Sequence, residues 1–532
     1  MKKKILLLCV VLLAAVVGGY FYAVKLTSDN LKIALENVLL PLKNSSDKNN
    51  KVDYVAINSS GIALHPSVEI EKFAFNLKDE NNLEIAWQDE GKLNISLNYF
   101  THSMYIGGEG ITKGSLKRAD FPTPLEFKSQ SVKPFACQII LSKPIILDAL
   151  LGKSAEVFAD GSGLAKAIEK AHCSSENNKI LDNKTGQELA SIALVNLDVA
   201  INRKDNLLTG SSAKLQIKDE KISEELCKIF NPNGSSTVCA EKTAGAHNFD
   251  LGYELSDLGA NNNQGKLKGN LDYHNKISKL NASIDGNATN DALDVKLKNK
   301  ITISPEAVAM QRADIVKISN GLADNIEKSR GAKFSDEEKS AILNKVQHNL
   351  VEPLVELHDF EMNADFNVNG LSKKGAGNLL DIRNINLIAN DYGIILNGKG
   401  NQEQGDFNLQ CLNCEKTVRG GLSIMQGLME IAALKKASKE NPSISSEAID
   451  QLVHIVQSVG EADAKNPSNL NIHIHNNTPD KQWIIGKLQA NQVVTLLMAA
   501  QAAEQKAQMV KAGENIPAAN PAPAIELKHD KN

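Results

Sequence analysis

The sequence predicts an α+β protein: a long, curved antiparallel β-meander in one sheet or two, half-barrel or groove-like, with helical hairpins packed on its concave face and one N-terminal transmembrane helix. Three observations carry this. Apolar and polar residues alternate with period two over many short runs, and each such run makes a strand with one buried and one wetted face. Turn signals rich in Asn, Ser, Gly and Asp separate the runs, Asn397-Gly398 among them. An unbroken apolar run from Ile5 to Val24 opens the chain, behind Lys2, Lys3 and Lys4 and ahead of Lys25.

About 20 apolar residues are what one helix needs to cross a hydrocarbon core. The lysine cluster favours a cytoplasmic N-terminus. Residues 1–25 therefore read as a signal-anchor that meets an inner membrane through residues 5–24, with the bulk of the chain in a periplasm. Tyr20, Phe21 and Tyr22 fall where an interfacial aromatic belt would be. The run is longer than a usual cleavable h-region and no A-x-A site follows, so export after signal cleavage is the alternative. Cys9 lacks the small preceding residue of a lipoprotein site.

Residues 26–51 read as a short amphipathic helix, with Leu31, Leu35, Val38 and Leu42 at helical spacing, and a polar linker. Residues 52–512 form the β-rich region, with a sub-boundary near 370. Gly61 to Leu77 alternates with a one-residue slip. Clean alternations run through Leu83-Ile85-Trp87, Leu93 to Tyr99, Val195 to Ile201, Phe249 to Leu255, Leu267 to Tyr273, Phe360 to Val368 and Leu470 to Ile474.

Helices interrupt the strands. A short one is expected between Ser154 and Ala171. Ser304-Pro305-Glu306 opens another, a capping residue followed by proline in the first turn. Ser335 to Glu338 is a capping box that opens its partner. A second hairpin carries Leu428, Ile431 and Leu434, then Ile449, Leu452, Val456 and Val459. A last helix spans about Asn491 to Lys511, and the Pro/Ala/Asn-rich tail, 513–532, reads as disordered. Strands and a helical hairpin recur around 245–370 and 377–488, a weak internal echo.

The net charge is −4, and no long basic tract lies beyond the N-terminal lysines. Nucleic acid is excluded on that ground, because phosphate binding needs a concentrated basic face. Besides Cys9 there are six cysteines: Cys137, Cys173, Cys227, Cys239, Cys411 and Cys414. An even number in an exported region implies three disulfides. Proximity favours Cys227–Cys239 and Cys411–Cys414, which leaves Cys137–Cys173 by elimination.

Motifs for chemistry are few. Cys411-Leu412-Asn413-Cys414 has C-x-x-C spacing, but redox catalysis wants that pair at a helix N-terminus. Here it closes the alternating run Gly405 to Gln410, so a structural disulfide is expected. His473 and His475 share one face of a strand, and two ligands alone make no metal site. Gly107 to Gly110 with Thr112 to Ser115 has the wrong order for a phosphate loop and reads as a turn. Asp285, Asn287 and Thr289 resemble the start of a calcium loop, but Asn290 stands where its glycine belongs and Lys296 where its glutamate belongs. No catalytic, cofactor or metal residue is therefore expected, and the chain reads as a non-enzyme.

The layout resembles a known family. The anchor ends in Gly18-Gly19-Tyr20 and is followed by Lys25 and the acidic helix Asn30 to Leu42. Val52-Asp53-Tyr54 leads to Ser59-Ser60-Gly61-Ile62, and the chain closes on Trp483 to Leu488, a helix and the Pro/Ala tail. This is similar to the YdgA-like family of bacterial inner-membrane-anchored periplasmic proteins, and more distantly to AsmA-like envelope proteins. The resemblance implies a non-enzymatic protein of a Gram-negative envelope that binds, or helps to move, lipid or another amphipathic component. The alternatives are an envelope or surface protein-interaction module or adhesin, and then a periplasmic enzyme. An uncovered apolar groove would favour lipid, and an open strand edge would favour a protein partner.

Overall fold

The computed structural model describes residues 2–44, 50–59, 65–78, 84–117, 124–142, 167–204, 207–230, 243, 245–259, 264–305, 358–371, 378–436 without 402, 446–476 and 482–499 without 497, with scattered positions from 335 to 348; side chains are described from Val16 onward except at 38, 50, 228–230, 428–436 and 446–447. The chain divides into two compact units, Met1–Asp314 and Ile315–Asn532.

The first unit opens with α1 (Lys2–Lys43), a single helix of 42 residues. The expected break near Lys25 is absent because nothing there stops a helix. The polar pair Thr27 and Ser28, just past Lys25, is fully buried. Ser28 Oγ donates to the Val24 carbonyl at 2.9 Å and accepts from the Ser67 amide at 3.1 Å, while Thr27 meets the Tyr99 hydroxyl. Val24, Leu31 and Ala34 are buried, and Tyr20, Leu35 and Leu39 pack beside them. This spacing is one helical stripe. Lys43 in the last turn pairs with Asp53 at 2.9 Å and donates to the Tyr54 carbonyl, which fastens the helix end to the first strand.

Strands follow: β1 (Asn50–Asp53), β2 (Ala56–Ser59), β3 (Ser67–Glu71), β4 (Ala74–Lys78), β5 (Glu84–Asp89), β6 (Lys92–Asn98), β7 (Ser103–Gly107), β8 (Ile111–Lys117) and β9 (Leu125–Leu141). They pair as five long antiparallel strands, four of which are broken in the middle. β2 pairs β3 and β1 pairs β4; β3 pairs β6 and β4 pairs β5; β6 pairs β7 and β5 pairs β8; both β7 and β8 pair with β9. The breaks line up as one crease. It runs through Val55, Lys72 at φ 50°, Gly91 and Gly110 at φ 78°. The one-residue slip in the sequence is this crease at Lys72. The expected turn at Gly107 to Gly110 is the same crease, and Thr112 to Ser115 lie in β8.

On one side of the crease α1 covers Val68, Ile70, Leu97, Met104 and Leu141. On the other, Val52, Phe75, Trp87, Gly114 and Phe127 stand directly opposite one another across β1, β4, β5, β8 and β9. Gly114 leaves room for Phe127, whose Cζ would lie 2.3 Å from a Cβ there. Phe75 and Trp87 stack at 5.0 Å.

The meander continues with β10 (Ile168–Asp182), β11 (Glu188–Lys204), β12 (Leu207–Ile222), β13 (His247–Ser256), β14 (Gly265–His274), β15 (Ser278–Ala288) and β16 (Ala292–Ile303), with α2 (Glu224–Phe230) between β12 and β13. From β9 on, each strand pairs antiparallel with the next. Ile168 to Ala171, expected as the end of a helix, are strand; the rest of that helix, up to 166, lies outside the described residues. Most of the first helical hairpin, from 306 to 357, also lies outside them.

The second unit holds β17 (Asp359–Asn369), β18 (Leu379–Ala389), β19 (Tyr392–Gly400), β20 (Gly405–Leu412), α3 (Cys414–Lys436), α4 (Ser446–Val459), β21 (Glu461–Ala462), β22 (Leu470–Asn476), β23 (Ile484–Ile485) and β24 (Leu488–Gln489). β17 to β20 form a meander, β20 pairs β22, and β23 and β24 extend it. The expected turn Asn397-Gly398 lies inside β19; Gly398 at φ 142° lets Phe407 approach. Leu409, Ile472, Ile474 and Ile485 make an apolar face that α4 covers with Leu452, Ile455, Val456 and Val459. This is the helical cover expected of a one-faced sheet. The predicted last helix begins at 490, and the chain beyond 499, including the tail, lies outside the described residues.

Candidate functional site

Eight neighbouring strands, β9 to β16, curve around one cavity of about 870 Å³. The outermost strands supply alternate residues only: Gln138 and Ile140 from β9, Lys296 and Lys298 from β16. Alternate residues share a face. The trough therefore lies on the face that carries these side chains, and that face is polar.

Two rows cross its floor by register. One runs His172, Asp198, Lys214, then Gly252, Asn270, Ser283 and Lys298. The other runs Lys170, Ala200, Ser212, Glu254, Lys268, Asp285 and Lys296. In the second row Glu254, Lys268, Asp285 and Lys296 alternate in sign, and opposite charges placed directly across a sheet are mildly stabilising. In the first, His172 Nδ1 lies 2.7 Å from Asp198 Oδ1. Gly252, Asn270 and Ser283 are the uncharged stretch between Lys214 and Lys298. A Cβ on Gly252 would meet Asn270 Oδ1 at 2.7 Å, the end of a side chain that can turn aside. A third row flanks these: Gln216 Nε2 donates to both Asp250 oxygens at 3.0 and 3.1 Å, and Asn281 Nδ2 donates to Asp272.

The opposite face is apolar. Leu197, Leu215, Leu251 and Leu271 stand opposite one another, and the row ends at the bridged pair Cys173 and Cys137. Leu251 and Tyr253 remain 42% and 43% exposed. The trough is thus charged, with the leucines on the face behind it. Period two shows that a strand has two faces, but the direction in which the sheet curls is not contained in it. The two-face pattern repeats near the crease. A second cavity of about 430 Å³ takes Lys51 and Asp53 from β1, again alternate residues on the polar face.

Cys137–Cys173 joins two directly opposed strand residues, with Cα atoms 4.0 Å apart. Cys411–Cys414 is also bridged. Cys227 is disulfide-bonded, and Cys239, its expected partner, lies outside the described residues. The C-x-x-C pair ends β20, as expected, but Cys414 also begins α3, which was missed. Both cysteines are buried against Leu470, Val418 and Val456, which denies them the exposure that thiol exchange requires. His473 and His475 stack at 4.5 Å, and His473 Nε2 is 2.6 Å from Asp406 Oδ1. Among the described residues, no group of three or more His, Cys, Asp or Glu side chains is placed to hold a metal ion. Asp285 and Asn287 are strand residues of β15, and only Thr289 enters the turn that follows.

Asp89 was not foreseen. It is a buried carboxylate on the crease, with Oδ1 accepting the Gly91 amide at 2.9 Å. Burial first, and Glu109 nearby, push its pKa up, against the opposing pull of the Gly91 amide. Among the described residues no helix is long and apolar enough to cross a membrane. The side chains of the apolar run up to Ala15 lie outside them. No protein-family model matches the chain, and no curated protein does either.

Proposed function

We propose that the chain is a non-enzymatic binding scaffold of a Gram-negative envelope, held to the inner membrane by its N-terminal helix. It takes the charged part of an amphipathic envelope component, such as a head-group or acidic glycan, into the trough of β9 to β16. One observation carries this: the cavity is walled by five lysines, Lys170, Lys214, Lys268, Lys296 and Lys298, against three carboxylates, Asp198, Glu254 and Asp285. A surplus of positive charge in a concave site concentrates anions, and a site of several hundred cubic ångströms suits a small ligand. Kinship with the YdgA-like and AsmA-like proteins is part of the same proposal and rests on the layout of anchor, strands and closing helix.

The test is to purify the full chain in mild detergent and analyse its aqueous and organic extracts by mass spectrometry. A stoichiometric phosphate- or carboxylate-bearing compound is the expected result. A neutral lipid, or an empty protein that stays folded, would contradict it. A second reading has its own support: Leu251, Tyr253 and Leu267 leave an exposed apolar strip on the back of the sheet, suited to a protein partner.

A further inference from the structure

We infer that the β6–β7 turn, with Phe100 at its tip, sits in the interfacial layer of the membrane that α1 enters. The proposal rests on the anchor assignment above. The helix is continuous from Lys2 to Lys43, so it fixes the domain relative to the bilayer without a flexible joint. Residues 16–19 are exposed, and packing on the domain begins at Tyr20 and Val24. N-terminal to Tyr20 the apolar run, Ile5 to Gly19, is 15 residues long. At about 1.5 Å per residue it covers roughly 22 Å, whereas the hydrocarbon core is about 30 Å thick. The run is roughly 8 Å short of the core, a mismatch that local thinning and snorkelling of Lys2 to Lys4 take up. No slack is left in the helix to hold the domain away from the bilayer, so the domain end beside Tyr20 lies at the head-group boundary.

What lies there is suited to it. Tyr20 packs against Tyr99 and Phe100, with ring centroids 6.4 and 5.8 Å apart. Phe100 is nevertheless 74% exposed, and Tyr22 is 69% exposed. The turn holds its shape without Phe100, because Asn98 Oδ1 accepts the amides of Phe100 and Thr101 at 2.9 and 3.1 Å. Aromatic rings at the head-group level are the usual interfacial anchors of membrane proteins.

The experiment places the photoreactive residue p-benzoylphenylalanine in the full chain in native membranes, at Leu12, Phe100 or Phe135. Phe135 is 54% exposed and lies six residues from Leu141, the β9 residue that bonds the turn at His102, roughly 20 Å along the strand. Lipid adducts from positions 12 and 100, with none from 135, are expected. Adducts from 12 but not 100 would overturn the seat and leave the anchor standing. No adducts from 12 would overturn the anchor, and the seat with it. Adducts from all three would show a domain lying on the membrane at large, which also overturns the specific seat.

Discussion

The two ends of the first unit use the same strand chemistry to different effect. At the α1 end, the apolar face of β2, β3, β6 and β7 is covered, and Val68, Ile70, Leu97 and Leu141 are at most 2% exposed. Along β11 to β15 the leucine row opposite the trough is half-buried or exposed, and the strands are held by their ladders and polar rows. The first region is built as a core. The second is built as a surface with two usable faces. A sheet freed from filling a core can present charge on its concave side, and the difference predicts where substitutions will be felt.

The largest effect is expected in the core. Leu97→Ala should cost about 2–5 kcal/mol, as cavities in tight cores do, read as a lowered urea midpoint. Next comes the bridge that joins the two regions: Cys137→Ser with Cys173→Ser should cost about 2–4 kcal/mol, read as a drop in Tm that reduction of the wild type reproduces in part. Gly114→Ala should cost about 1–3 kcal/mol by overpacking, since its Cβ would meet Phe127 and the Ala86 carbonyl.

Asp89→Asn should act in the opposite direction. Burial raises the folded pKa of Asp89 above its ordinary value of 3.8. Its protonated form therefore favours the fold, and that contribution is lost as pH rises from the ordinary value through the folded one. Asparagine still accepts the Gly91 amide without a charge to bury. The variant should be more stable than wild type near neutrality, with the gap closing toward about pH 3, read from urea midpoints across that range. The smallest effect is expected from Leu251→Ala, within about 0.5 kcal/mol. A loss as large as that of Leu97→Ala would show that the back face is a core after all.

Much of this was legible in the sequence. Every alternating run with described residues became a strand, because period two is a direct imprint of the pleat. The faces were legible too: Lys296 and Lys298 against Val295 and Leu297 already separate polar from apolar. What could not be read was geometry set by several strands at once. The slip at Lys72 and the turn at Gly107 to Gly110 were each legible, but not that they line up with Gly91 as one crease. The curl that makes the polar face concave is likewise a property of eight strands together. Nor was it legible that the apolar run and the amphipathic helix are one helix, because the burial of Thr27 and Ser28 at their junction depends on hydroxyl partners from distant parts of the chain, Ser67 and Tyr99. The start of α3 was legible and missed, since Asn413 before Cys414-Glu415 is a helix-capping residue.

The most direct test asks which face of the β9 to β16 sheet binds. Native mass spectrometry of the full chain should show a bound anionic compound on the wild type and on Leu251→Asp. It should be absent from Lys214→Glu with Lys298→Glu. Retention on the charge-reversed protein, with loss from the back-face variant, would contradict the trough as the binding face.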